Sequence, residues 1–442
     1  MRRVLVRAAR LSPGVATFAG LVVVFLALIV ATDGAGGGLV AWLPLFLMAT
    51  AATLWLGRRR RHTGRIQLKW LLPVAAAAAL TITVCIPTVP THRRYPTDLP
   101  FVAVEHWRLA TGSRVAVYHY PPAPGSPRRL NPLVYLHGGP IRGISLLDHA
   151  FLRLLARQGY DVYAYEQAGG GRSDLLPMAQ YTIDRLVTDL GAFIDRLGHG
   201  QVDVLGFSSG AIVLTRGLAN PGLAARVHRA IIAEPGPMDG PTARVDGHPG
   251  RPSARGIAPG PAGPRSTYTP RYGVAFGLMR LGLLGLDNSL IGQSEAANAF
   301  TAADLGSDTA SAYCAPDAHR IPAEDSPQNF SFNAAASLRV QQTLRDSPSL
   351  APQLRLSRTP ALLMIAECSA QIRQWETTVL ATDPAIERTQ YMPNVGHHMW
   401  NGLDDNNQRA ATVITAFLED QPGPLPNYPT RTDIPAFLQD RR

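Results

Sequence analysis

The chain has 442 residues, 46% of them hydrophobic and 17% charged, with a formal net charge of +10. That length holds one large domain with additional parts. Lysine occurs once, at Lys69, and the arginines gather beside apolar runs near the N-terminus without any nucleic-acid motif, so the basic charge points to a membrane rather than to nucleic acid.

Three uncharged apolar segments open the chain: Gly14 to Thr32, Leu39 to Leu56 and Trp70 to Val89. Each has about the length that crosses a bilayer as a helix, which predicts three transmembrane helices over residues 1–89. A cleaved signal peptide fits the first poorly, because its apolar core is too long and Ile29-Val30-Ala31-Thr32-Asp33 offers no small-residue cleavage site. Arg2, Arg3, Arg7 and Arg10 precede the first span, and Arg58 to Arg61, Arg65 and Lys69 separate the second from the third, whereas the first loop holds only Asp33. By the positive-inside rule the N-terminus and second loop are cytoplasmic, so a multi-pass protein of the cell membrane is expected, with everything after Val89 extracytoplasmic. Cys85 lies in the third span, leaving Cys314 and Cys368 as an expected disulfide in the outer part; cysteine and histidine spacings of metal-site type are missing. Residues 90–100, rich in proline and charge, read as a tether.

Phe101 to Leu109 and Arg114 to Tyr120 are strand-like and joined at Thr111-Gly112-Ser113, an opening hairpin. The next strand, Leu133 to Leu136, runs into His137-Gly138-Gly139-Pro140, a turn whose glycines leave backbone N–H groups able to face a ligand. Ser145 to Gln158 has helical periodicity, and Asp161 to Tyr165 is a strand ending in Glu166-Gln167-Ala168-Gly169-Gly170-Gly171-Arg172-Ser173. That triple glycine lacks the Gly-x-Gly-x-x-Gly spacing of a dinucleotide site and opens no helix. Tyr181 to Leu197 is an amphipathic helix with Ile183, Leu186, Leu190, Phe193 and Ile194 on its apolar stripe.

Val202 to Leu205 then meets Gly206-Phe207-Ser208-Ser209-Gly210, followed directly by helix-compatible residues. Strand, tight turn and helix in that order form a nucleophile elbow with Ser208 at its apex. His228 to Ala233 is the next strand and ends at Glu234. Helix-like runs at Tyr272 to Leu286, Gln293 to Ala303 and Phe332 to Arg345 follow a proline- and glycine-rich stretch. Pro360 to Ala366 is again a buried strand, and Tyr391 leads through Asn394-Val395-Gly396 to His397-His398. Strands alternating with helices imply an α/β fold with a doubly wound, mostly parallel sheet.

These residues resemble the α/β-hydrolases, and among them the prolyl aminopeptidase-like branch of serine peptidases. Its His-Gly-Gly-Pro turn is matched by His137 to Pro140, its Asp-Gln-Arg-Gly-x-Gly-x-Ser turn loosely by Glu166 to Ser173, and its Gly-x-Ser-x-Gly-Gly by Gly206 to Ala211. The likeness covers roughly Phe101 to Leu418. It departs at Ile141 and Ala168, where the branch has glycine and arginine. The resemblance implies a hydrolase core in two parts, 101–238 and 353–425, interrupted by a helical cap insertion at 239–352, with residues 426–442 as a tail.

It further implies a catalytic Ser208, with His397 rather than His398 as base, and an oxyanion hole from the backbone of Ser209 with Gly138 or Gly139. The acid is open. The family's usual aspartate position holds Ser369, which leaves Glu234, favoured, and Glu367, with Asp239 behind them. An amide or ester substrate such as a small peptide is expected, with no metal or cofactor. An aminopeptidase would present cap carboxylates to a free amine, Glu295 first and then Asp304 and Asp308; a carboxylesterase or lipase of the cell envelope would turn Val274 to Leu286 toward its substrate. An inactive hydrolase-fold binding protein is the reading from another class.

Overall fold

The computed structural model describes residues 13–31, 103–236, 270–283, 290, 332–367, 383–400 and 402–428, with a few helical residues between 46 and 81. It divides into two compact units, Met1–His92 with Tyr268–Ala296, and Arg93–Thr267 with Ala297–Arg442. In the first, a helix covers Pro13–Ala31, the first expected span, with side chains described from residue 19 on. Leu21, Phe25 and Ile29 are buried at every fourth position, one face of a helix. The second and third expected spans lie almost wholly outside the described residues, and among the described residues no helix is long and apolar enough to cross a membrane. The helix Pro270–Arg280, expected in the cap insertion, clusters with this unit.

The second unit is built on one sheet of eight strands: β1 Val104–Arg108, β2 Arg114–Tyr120, β3 Leu133–Leu136, β4 Val162–Tyr165, β5 Val202–Phe207, β6 Val227–Ala233, β7 Ala361–Ala366 and β8 Ile386–Met392, in the order β1-β2-β4-β3-β5-β6-β7-β8. β1 pairs antiparallel with β2, and β2 with β4; every other pair is parallel. The sequence accounts for this division. β3, β5 and β7 are buried at every position and apolar but for Asp203 in β5, as strands covered on both faces are, whereas β1 at the sheet edge has no fully buried residue.

The helices carry their own start and stop signals. Ser145 and Asp148 form a capping box at the head of Leu146–Arg157. Thr182 caps Ile183–Leu197, and Gly198, at φ 71°, ends it in the left-handed conformation that glycine adopts without strain. The helix Ala334–Arg345, placed in the insertion from sequence, packs on this core helix, with the Ile183 amide donating to Thr343 Oγ1 at 3.0 Å. The last described helix, Asn406–Leu418, buries Ala410, Val413, Ile414 and Phe417 in the core shared by Tyr135, Phe151 and Leu362. Beyond it, Asn427 bridges Gln390 antiparallel, so the start of the tail covers the outer edge of β8.

What matters for function is one edge of this sheet. After β3 the chain turns to one side to make β4 and then crosses back to lay β5 on the other side of β3. In open α/β sheets the crevice at such a switch point is where ligands bind, beyond the carboxyl ends of the strands. Leu136 stands opposite Gly206, Phe207 opposite Ala233, and Ala366 opposite Met392. The turns leaving β3, β5, β6, β7 and β8 therefore open side by side.

Candidate active site

Ser208 leaves β5 at φ 54° and ψ −116° and serves as the N-cap of the helix Ser209–Leu218. A non-glycine residue rarely adopts a positive φ, and such strain persists only where the surroundings enforce it. Here the Ser208 amide donates to the Ala233 carbonyl at 2.9 Å, while its carbonyl accepts from Ala211 and Ile212 at 3.1 and 3.2 Å. The flanking glycines allow the sharp bend. A Cβ on Gly206 would stand 2.8 Å from Ala211 Cα, and one on Gly210 would run into the Leu136 carbonyl of the neighbouring strand.

The Ser208 hydroxyl lies 3.0 Å from His397 Nε2, and His397 Nδ1 lies 3.1 Å from Glu234 Oε2. Glu234 is completely buried, and its second oxygen accepts from the Ala366 amide at 2.5 Å. A carboxylate occupied as acceptor on both oxygens requires Nδ1 to carry the imidazole proton, which leaves Nε2 free to accept from serine. Glu234 also has a positive φ, 49°, and its amide donates to Met364 on β7. That bend at the end of β6 turns its side chain across the sheet edge toward the histidine loop.

The other sequence-derived candidates take different places. Glu367 Oε2 accepts from the Asn394 amide at 2.8 Å and so ties down the turn that precedes His397. The His398 ring is centred 5.8 Å from that of His397. Asp239, Glu295, Asp304, Asp308, Cys314, Cys368 and Ser369 lie outside the described residues, as do 284–286 of the expected apolar cap run. Among the described residues no group of histidine, cysteine and carboxylate side chains is arranged to hold a metal ion.

Gly138 packs against the elbow so closely that a Cβ there would lie 2.8 Å from Ser208 Cβ and from the Phe207 ring. Gly139 follows at φ 58°. Neither the Gly139 amide nor that of Ser209 donates to any acceptor among the described residues. The turn is braced from beneath. His137 is fully buried, accepts from the Gln167 amide at Nε2 (3.2 Å), and so donates from Nδ1 to the Gly138 carbonyl (3.0 Å). Burial, reinforced by the nearby Arg142 cation, lowers its pKa to about 4, which keeps it neutral. Ile141 has a positive φ, 56°, with its amide donating to Gln167 Oε1 (2.9 Å) and its carbonyl accepting from the Asn333 amide (3.0 Å).

The glycine-rich turn after β4 completes that support. Gly170 faces the Arg142 backbone where a Cβ would clash, and buried Glu166 accepts from Tyr118 OH at 3.1 Å, Ile144 N at 3.1 Å and Arg172 N at 2.6 Å. Sequence reasoning singled out neither Gln167 nor the buried pair Arg142 and Asp148, 3.1 Å apart. The available signal was a cation inside an otherwise apolar stretch immediately after the His-Gly-Gly-Pro turn.

Residues 131–253, which contain the turn, the elbow and Glu234, match the family model of the alpha/beta hydrolase fold. The fold is that of the α/β-hydrolases. Among curated proteins, a putative non-heme chloroperoxidase from Synechocystis sp. is 30% identical over 139 residues, 31% of this chain and 46% of that protein. The match thus spans about half of the relative's length. Similar solved structures include an esterase from Exiguobacterium antarcticum, at 17% identity and TM-score 0.44 over 72% of this chain and 100% of that one. A proline iminopeptidase from Mycobacterium smegmatis is similar at 18% identity and TM-score 0.44, covering 72% of this chain and 98% of the other.

Proposed function

We propose that the protein is a serine hydrolase that cleaves an amide or ester bond through Ser208, His397 and Glu234. The observation that carries this reading is the relay at the elbow, in which a strained, apex-mounted serine hydroxyl meets Nε2 of an imidazole whose Nδ1 faces a buried carboxylate. His397 removes the Ser208 proton as the oxygen attacks the substrate carbonyl carbon, then returns that proton to the leaving group. Glu234 holds the imidazole in the required tautomer and stabilises the imidazolium that forms.

The amides of Ser209 and of Gly138 or Gly139 receive the developing oxyanion, each donor contributing on the order of 3 kcal/mol to the transition state. Deacylation repeats these steps with water in place of the leaving group. The substrate class is a small peptide or ester. The membrane anchor and extracytoplasmic placement belong to the same proposal and rest on the three apolar segments and the arginine asymmetry around them. The reading is tested by hydrolysis of a p-nitrophenyl acyl ester by the full-length chain: activity lost in Ser208→Ala supports it, and activity equal in Ser208→Ala and the parent protein would sink it.

A further inference from the structure

Arg142 stands two residues past the His-Gly-Gly-Pro turn, with its side chain only 6% exposed. Its Nε–H donates to the Gly138 carbonyl, one Nη to the Gly143 carbonyl at 3.0 Å, and the other to Asp148 Oδ2 at 3.1 Å. Asp148 is equally buried. Tyr135 OH (2.6 Å) and Trp400 Nε1 (2.9 Å) donate to its Oδ1, while the Ser145 hydroxyl (2.7 Å) and amide (3.1 Å) donate to Oδ2. Two full charges enclosed in an apolar core are weak stabilisers of a fold, because the cost of desolvating them offsets their attraction. Their placement therefore points to what they hold.

They hold the peptide between Gly138 and Gly139. Its carbonyl receives two donors from the interior, Arg142 Nε–H and His137 Nδ1–H. The bond is trans, so the Gly139 N–H points away from that carbonyl. Drawing the carbonyl into the buried network thus turns the Gly139 amide out of it, toward the side on which it has no acceptor among the described residues. A carbonyl that accepts from a cation also polarises its own amide, which strengthens the N–H as a donor. The same carboxylate reaches the histidine loop, since Trp400 lies three residues after His397 and stacks on Phe151 with ring centroids 4.5 Å apart.

We infer that Arg142, fixed by Asp148, is the positioning residue of the oxyanion hole: it aims and polarises the Gly139 amide, and the Asp148–Trp400 bond keeps the histidine loop in register with it. This rests on the serine-hydrolase reading above. Arg142 touches no reacting atom, so its effect should be on transition-state charge and leave substrate binding unchanged.

The test uses the full-length chain, p-nitrophenyl acetate and an alkyl boronic acid, which forms a tetrahedral adduct on a serine nucleophile. Arg142→Lys keeps a cation facing Asp148, but one ammonium cannot reproduce the planar fork that reaches three acceptors at once. We expect kcat to fall roughly 10- to 100-fold, at or below the loss of about 100- to 1000-fold seen for removal of a whole oxyanion donor, with KM changed by less than about 2-fold. The boronate inhibition constant should rise by the factor lost in kcat/KM, with an unshifted pH profile and near-parental thermal midpoint. Trp400→Phe, which removes one N–H and retains an aromatic ring, should show a smaller loss of the same pattern.

Full kcat in Arg142→Lys, a change confined to KM, or a displaced pH profile would overturn the inference while leaving the serine-hydrolase reading intact. A parent protein that the boronate does not inhibit, with hydrolysis unaffected by Ser208→Ala, would overturn that reading and this inference with it.

Discussion

Glu234→Gln is the sharpest perturbation of the proposed relay, because it keeps the shape of the side chain and changes only its donors and acceptors. In the wild-type arrangement both carboxylate oxygens accept, one from His397 Nδ1–H and one from the Ala366 amide. A glutamine amide has one acceptor and one donor group, so either way round it sets N–H against N–H. With its NH2 toward His397, the imidazole must move its proton to Nε2, where it can no longer accept from Ser208. With its NH2 toward Ala366, a buried backbone donor is orphaned at a cost of about 1–3 kcal/mol. Either arrangement withdraws the charge that stabilises the imidazolium. The amide replacement in the serine-protease worked example costs about 10⁴ in kcat, equivalent to about 5 kcal/mol of barrier, and a similar loss is expected here. The assay is steady-state hydrolysis of a p-nitrophenyl ester by variants that retain a cooperative thermal transition. Glu367→Gln, which alters the side chain holding Asn394, should reduce kcat far less. Near-normal turnover in Glu234→Gln with collapse in Glu367→Gln would refute the assignment.

Three further outcomes are expected. Ser208→Ala and His397→Ala should each abolish hydrolysis, and the double variant should be no worse than either, because the groups act as a unit; loss in His398→Ala with retention in His397→Ala would assign the base to the other ring. Stability should fall as pH drops from about 6.5 toward 4. Burial lowers the pKa of His137 to about 4, reinforced by Arg142, and that of His149 likewise despite the pull of Asp148, so the unfolded chain takes up protons that the folded one refuses. Each histidine contributes on the order of 3 kcal/mol, fully present above pH 6.5, and a denaturation midpoint that stays flat across this window would contradict the proposal. Protease added to intact cells or right-side-out vesicles should degrade the chain beyond Val89, whereas protection until the membrane is opened would reverse the proposed orientation.

Local signals carried most of the core. The elbow at Ser208, the hairpin of β1 and β2, and the helix beginning after Thr182 each rest on residues that are neighbours in sequence, where glycine sterics, capping chemistry and periodicity act directly. The placement of the carboxylates was less legible. Glu234 and Glu367 each directly follow a buried strand, and what separates them is a backbone angle of 49° at Glu234 and a hydrogen bond from the Asn394 amide to Glu367, neither of which has a period or a motif. The Arg142–Asp148 pair left only a faint signal, a cation after the His-Gly-Gly-Pro turn, for a related reason. Sequence patterning treats a charge in a turn as solvated, and only the packing of Tyr135, Ser145 and Trp400 around it shows that it is enclosed. The contact of Ala334–Arg345 with the core was equally hidden, because an amphipathic helix does not reveal its partner, here the Ile183 amide donating to Thr343 Oγ1.

The central claim is that Ser208 is a nucleophile activated by its neighbours, and covalent labelling tests it most directly. The full-length chain would be treated with a fluorophosphonate, digested and mapped by mass spectrometry. One adduct is expected, on the peptide carrying Gly206 to Gly210 at Ser208, missing in Ser208→Ala and formed much more slowly in His397→Ala. An adduct elsewhere, or an unmodified Ser208 in folded protein, would contradict the account.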